Sequence, residues 1–169
     1  VPKMKEVTYD EAQLIISEFK TWGTGTAINW SQKNNRHFPK SYSSKNLLMI
    51  DGIFPEGLHL ELYFKPSILT DLPHTFSASL LFRGIRILGM DAGQPNSHIN
   101  LLGGEEETYL KEVDHPHLHR CIPESLTGYA EPLPNASIED LWEDFLLHAS
   151  IFEAPELNLP DLGQTRPLL

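Results

Sequence analysis

From Leu58 to Met90 the chain is written in period two. Leu58, Leu60, Leu62 and Phe64 alternate with His59, Glu61, Tyr63 and Lys65, and Phe76, Ala78, Leu80 and Phe82 alternate with Ser77 and Ser79. Successive side chains of a strand point to opposite faces, so this text fits strands with one apolar and one polar face. Arg83-Gly84 stands where a tight turn leads into Ile85 to Met90, which makes the second and third runs a hairpin. A half-apolar antiparallel sheet has to bury one face against something else.

The covering elements are written at either end. Thr8-Tyr9-Asp10-Glu11 is a capping box, and Ala12, Ile15, Ile16, Phe19 and Trp22 follow at helical spacing. Together they predict a helix over 9–22 that stops at Gly23. Ile138, Leu141, Trp142, Phe145, Leu146 and Ala149 form a second amphipathic face, opened by Asn135 or Ser137 and by acidic Glu139 and Asp140, and Phe152 extends it.

Between the helices, residues 24–44 predict a hairpin and Leu47 to Ile50 a strand ending at Asp51-Gly52. Ser97 to Leu102 and His115 to Ile122 predict two further strands after the turn-rich 91–96. The expected architecture is α+β: a twisted antiparallel sheet of about six strands with an N-terminal and a C-terminal helix on one face. Residues 1–154 are expected to form one domain. Residues 155–169, with Pro155, Pro160 and Pro167, form an extended Pro-rich tail.

The 169 residues carry 13 Lys and Arg against 23 Asp and Glu, a net charge of −10 that repels nucleic acid phosphates. The same charge fits a partner with a basic surface, and RNA enters only as a substrate. The apolar runs are too short to span a bilayer, no export signal is read, and the lone Cys121 makes no internal disulfide, so the cytoplasm is the expected location. G-x-G-x-x-G, P-loop and G-x-S-x-G signatures are missing, which removes dinucleotide binding, NTP hydrolysis and α/β-hydrolase chemistry from the expectations.

Chemistry is concentrated in His115-Pro116-His117-Leu118-His119. On a strand, His115, His117, His119 and Cys121 share one side and Leu118 and Ile122 the other, which is the core side. His98 and Asn100 are expected across from them, with Asp91 and Asp114 at strand ends. Three uses fit such a cluster. His98, His115, His117 and His119 are candidate ligands for a divalent metal, zinc or manganese, in an open site completed by Asp91. Alternatively, His117 and His119 act as metal-free acid and base on RNA, with Arg120, Arg86 or Arg83 neutralising the phosphorane. In the third reading the imidazoles decorate a solvent-facing strand or form a neutral hydrogen-bond ladder.

His117-x-His119 followed by Glu124 also looks like part of the first cupin motif. Lys111 stands where that motif opens with Gly, and the second half is missing.

The stretch 76–152 resembles small bacterial proteins of mobile elements that include the TumE-type toxins. The residues that carry the resemblance are Gly84-Ile85-Arg86-Ile87-Leu88-Gly89-Met90-Asp91, Pro116-His117-Leu118-His119-Arg120, Tyr129-Ala130-Glu131-Pro132-Leu133 and Leu141-Trp142-Glu143-Asp144-Phe145-Leu146. The resemblance implies a ribonuclease-like or metal-dependent hydrolytic protein of a toxin-antitoxin or defence system. It carries Asp91, His98, His117 and His119 as site residues, and Arg120 is expected to meet phosphate. The contrasting expectation, from charge, is a non-enzymatic acidic protein such as an antitoxin, inhibitor or accessory subunit that covers a basic surface.

Overall fold

Period two is realised residue for residue in the centre of the molecule. The computed structural model describes residues 6–34, 36, 38–93 and 97–160. In chain order its elements are α1 (Tyr9–Ser17), β1 (Lys20–Trp22), β2 (Ser31–Gln32), β3 (Tyr42–Met49), β4 (Leu58–Lys65), β5 (Thr75–Phe82), β6 (Ile85–Ala92), β7 (His98–Ile99), β8 (Glu112–Val113), β9 (His117–Ile122), β10 (Ser125–Pro132), α2 (Ile138–His148) and β11 (Ile151–Phe152). Among the described residues the main sheet runs β10-β9-β6-β5-β4-β3-β1-β11, with β2 paired to β3 off that path. Every pairing in it is antiparallel except β1 with β11. A fold of mixed α and β with two helices is therefore present, and its sheet has more strands than the sequence suggested.

One face of the sheet is the core. Leu58, Leu60, Leu62 and Phe64 of β4, Phe76, Ala78, Leu80 and Phe82 of β5, and Leu88, Met90 and Ala92 of β6 are buried in one cluster with Ala12 of α1 and Leu141, Trp142 and Phe145 of α2. Both helices therefore cover the same face, and Trp22 meets Trp142 edge to face at 6.3 Å. Thr8 and Ser137 cap the helices by accepting from the amides of Glu11 and Asp140. The opposite face, with His59, Glu61, Tyr63, Ser77 and Ser79, is half-buried or exposed.

Two expectations change. The first helix ends at Ser17, not at Trp22, because Lys20 and Trp22 turn inward on a strand; Phe19, assigned to the helix's apolar face, is exposed. Lys20 is fully buried and donates from Nζ to the carbonyls of Ile16 (3.1 Å), Glu18 (2.7 Å) and Ala149 (2.8 Å). One side chain thus satisfies backbone acceptors at the ends of both helices. Phe152 belongs to β11 rather than α2. The tail docks as far as the structure describes it: Asn158 exchanges hydrogen bonds with the backbone of Ile28, and Trp142 Nε1 donates to the Pro155 carbonyl at 3.2 Å. Residues 161–169 lie outside the described residues, as do Asn35 and His37 of the expected 24–44 hairpin, whose paired part is β2 with β3.

No helix among the described residues is long and apolar enough to cross a membrane.

Candidate metal centre

β6 and β9 are neighbours, with Asp91 opposite His117 and Gly89 opposite His119. By alternation these residues share the face away from the helices. Asp91 Oδ2 lies 3.1 Å from His119 Nε2 and 3.5 Å from His117 Nε2, and the two Nε2 atoms are 3.0 Å apart. A divalent ion about 2.1 Å from nitrogen and oxygen ligands needs those atoms roughly 2.9–3.4 Å from one another. The three side chains form a triangle of that size.

Proton placement decides what the triangle could hold. His117 Nδ1 lies 3.1 Å from the Asp114 carbonyl, and a carbonyl only accepts, so Nδ1 carries the hydrogen and Nε2 is left with a lone pair. A backbone carbonyl on the second nitrogen is the usual orienting contact of a metal-bound imidazole. Asp91 Oδ2 is a second acceptor aimed at the same point. His119 Nε2 faces both, while its Nδ1 is buried with no hydrogen-bond partner among the described residues. Three convergent donors of electron pairs, with one hydrogen to share among them, are the arrangement that a cation completes.

Asp91 is held from the other side as well. Its Oδ1 accepts from Ser77 Oγ at 2.8 Å and Arg86 Nη2 at 2.8 Å, and its Oδ2 accepts from Arg86 Nη1 at 3.1 Å. Burial opposes its charge, yet the hydrogen bonds from His119 and Arg86, with the Arg86 charge, outweigh that and hold the carboxyl far below the usual carboxylate range. Burial pushes His119 below its ordinary value; the Asp91 hydrogen bond opposes that shift, and the Arg86 charge adds to it.

Arg86 reaches Asp91 because of a register shift. Leu80 pairs with Leu88 but Leu81 with Arg86, so Ile87 is an extra residue on β6. This bulge moves Arg86 from the face of Leu88 and Met90 to the face of Asp91. The guanidinium then crosses Gly89, where an added Cβ would lie 2.1 Å from Arg86 Nε and 2.2 Å from Cζ. Glycine at 89 is a condition of the site.

The remaining expected site residues are placed as follows. Arg120 is corrected out of the centre: it alternates to the face of Leu118, pairs with Glu106 (2.8 Å) and Glu131 (2.9 Å), and lies over the Tyr129 ring. His98 is not a cross-strand neighbour of β9, since β7 pairs only with β8. Its ring is 5.0 Å from that of His119 and its Nε2 donates to the Gly128 carbonyl, so it borders the triangle without joining it. The His115 ring sits 4.5 Å from that of His117, again outside the triangle. Asp114 contributes its carbonyl rather than its carboxylate.

Asn100 is buried and bonds Ala130 and Thr108. Cys121 is fully buried, its Sγ donates to the Ile87 carbonyl, and burial pushes its thiol up to about 11, so it is no ligand or nucleophile here. Glu124 of the cupin-like fragment is exposed and outside the triangle.

Compared with protein-family models, with curated proteins and with solved structures, the chain matches none.

Proposed function

We propose that this chain is a metal-dependent hydrolytic protein whose divalent ion, zinc or manganese, is held by Asp91, His117 and His119. The observation that carries the reading is the triangle of Oδ2 and two Nε2 atoms with edges of 3.0, 3.1 and 3.5 Å. Two imidazoles and a carboxylate are a donor set that zinc and manganese accept, and three protein ligands leave coordination positions open. When bound there, such an ion supplies Lewis acidity and brings a water's ionisation towards neutral pH.

The chain's own residues do the rest. Asp114 fixes the His117 tautomer through its carbonyl, and Ser77 and Arg86 keep Asp91 ionised and oriented. The metal-free acid-base pairing fits less well, because the two Nε2 atoms face each other instead of flanking a substrate. The RNA substrate and the conflict-system role rest on the resemblance alone. The site offers them no spare guanidinium, with Arg120 on the other face and Arg86 bound to Asp91.

The test is hydrolysis of RNA and of a simple aryl phosphodiester by metal-stripped protein, before and after adding Zn²⁺ or Mn²⁺. Activity that needs the ion and vanishes in His117→Ala plus His119→Ala is the expected result. Cleavage untouched by chelator, or untouched by the double substitution, sinks the proposal.

A further inference from the structure

The face that carries the metal triangle continues across the sheet and ends in a different surface. At the β3-β1-β11 end, Thr21 pairs with both Met49 and Phe152, which places these residues on the helix-free side. Phe19, just before β1, stacks on Phe152 with ring centroids 4.4 Å apart and planes at 7°. The Phe54 ring fills the space beside Gly23, where an added Cβ would lie 2.5 Å from its Cε1, and the Gly23 amide bonds the Leu47 carbonyl. Phe19 and Phe152, and Leu47 and Phe54 around Gly23, thus lie on one end of the sheet, with Ile53 beside Phe54 in sequence, and they are 58%, 40%, 45%, 50% and 69% exposed. Scattered apolar residues are ordinary on a surface, whereas a contiguous group of this size marks an interaction site.

The backbone is held to present this group. Ser150 and Glu153, flanking β11, have φ of 54° and 57°, a left-handed conformation that costs a residue with a side chain about 1 kcal/mol or more. Two such positions bracket the strand that turns Phe152 outward.

We propose that this end of the sheet is a docking surface for a protein segment with apolar side chains at its centre and Lys or Arg at its edges. Charge selects that occupant. Glu18, Asp51, Glu56 and Glu153 each lie within two residues of a patch member; of the two lysines equally near, Lys20 is buried and Lys45 stands directly opposite Glu61. A second copy of the chain would bring the same acidic rim, and a net charge of −10, against itself. The inference stands independently of the metal reading, since none of its residues touches the triangle.

The experiment titrates the full chain against two short labelled peptides, one alternating Leu and Lys and one alternating Leu and Glu, and follows fluorescence anisotropy. The Lys peptide binds, more weakly as salt rises, and the Glu peptide binds at least about tenfold more weakly. Phe19→Ser plus Phe152→Ser weakens the Lys peptide by about tenfold or more, the size of one well-packed aromatic anchor. Leu101→Ser, an exposed apolar residue elsewhere, leaves it unchanged. Leu47→Ser plus Phe54→Ser serves if the first pair perturbs the circular dichroism spectrum. Binding that ignores the substitutions, or that is equal for both peptides, overturns the proposal. So does a dimer in sedimentation that the substitutions abolish, because a second copy is then the occupant.

Discussion

The two ends of the helix-free sheet face are built on opposite principles. At the β6-β9 end polar side chains converge on one another: Asp91 alone receives contacts from Ser77, Arg86, His117 and His119. At the β3-β1-β11 end large apolar side chains lie open and touch chiefly one another. The first arrangement finds most of its partners within the chain. The second is satisfied only by something outside it. A sheet whose other face is already buried by two helices leaves this one open at both ends.

If this contrast is right, removing a side chain should be costly at the polar end and cheap at the apolar one. The largest effect is expected from Asp91→Ala, which leaves the half-buried Arg86 guanidinium without its carboxylate. Urea denaturation of the metal-free protein should show a loss of about 3–5 kcal/mol, as for a broken buried ion pair.

Next comes Lys20, the buried ion beneath the apolar end. Burial lowers it from 10.5 to about 8, opposed in part by Glu18. Between those values the unfolded chain keeps a proton that the folded chain has given up. Stability should therefore rise with pH from about 8 to 10.5, by up to about 3 kcal/mol. Lys20→Met should flatten that rise, and a profile equally steep in the variant would show that Lys20 is not its source.

Gly89→Ala follows. The added methyl occupies the path of the Arg86 guanidinium, so the expected cost is about 1–3 kcal/mol, typical of an overpacked site, together with weaker metal binding. An unchanged melting curve would mean that Arg86 has another route to Asp91. Smallest is Phe19→Ser or Phe152→Ser, expected to change stability by under about 1 kcal/mol while removing most of the affinity for a basic apolar peptide.

Legibility in the sequence followed the same division. Strands β4 and β5 were readable because period two holds in them without interruption, and Asp91, His117 and His119 were readable because β6 from Leu88 onward and the first residues of β9 keep that period. Arg86 was weighed only as one of three arginines. Strict alternation puts it on the core face with Leu88 and Met90, and the bulge at Ile87 that reverses this has no local signature. Arg120 is expected to meet phosphate, yet the alternation of β9 sends it to the face opposite His119. The helix expected over 9–22 failed because Phe19 and Trp22 fit helical spacing and a short strand equally well. A buried lysine bonded to three carbonyls decides between them only once the 149 end of the chain is in place.

The apolar end was illegible for a related reason. Phe19 and Phe152 are 133 residues apart, and each was read as part of a helix face.

The account stands on the triangle of Asp91, His117 and His119. Calorimetric titration of metal-stripped protein with Zn²⁺ and with Mn²⁺ tests it most directly. It predicts one equivalent of ion taken up per chain, with uptake lost in His117→Ala plus His119→Ala and retained in His98→Ala. No stoichiometric uptake, or the same uptake in the double variant, would contradict it.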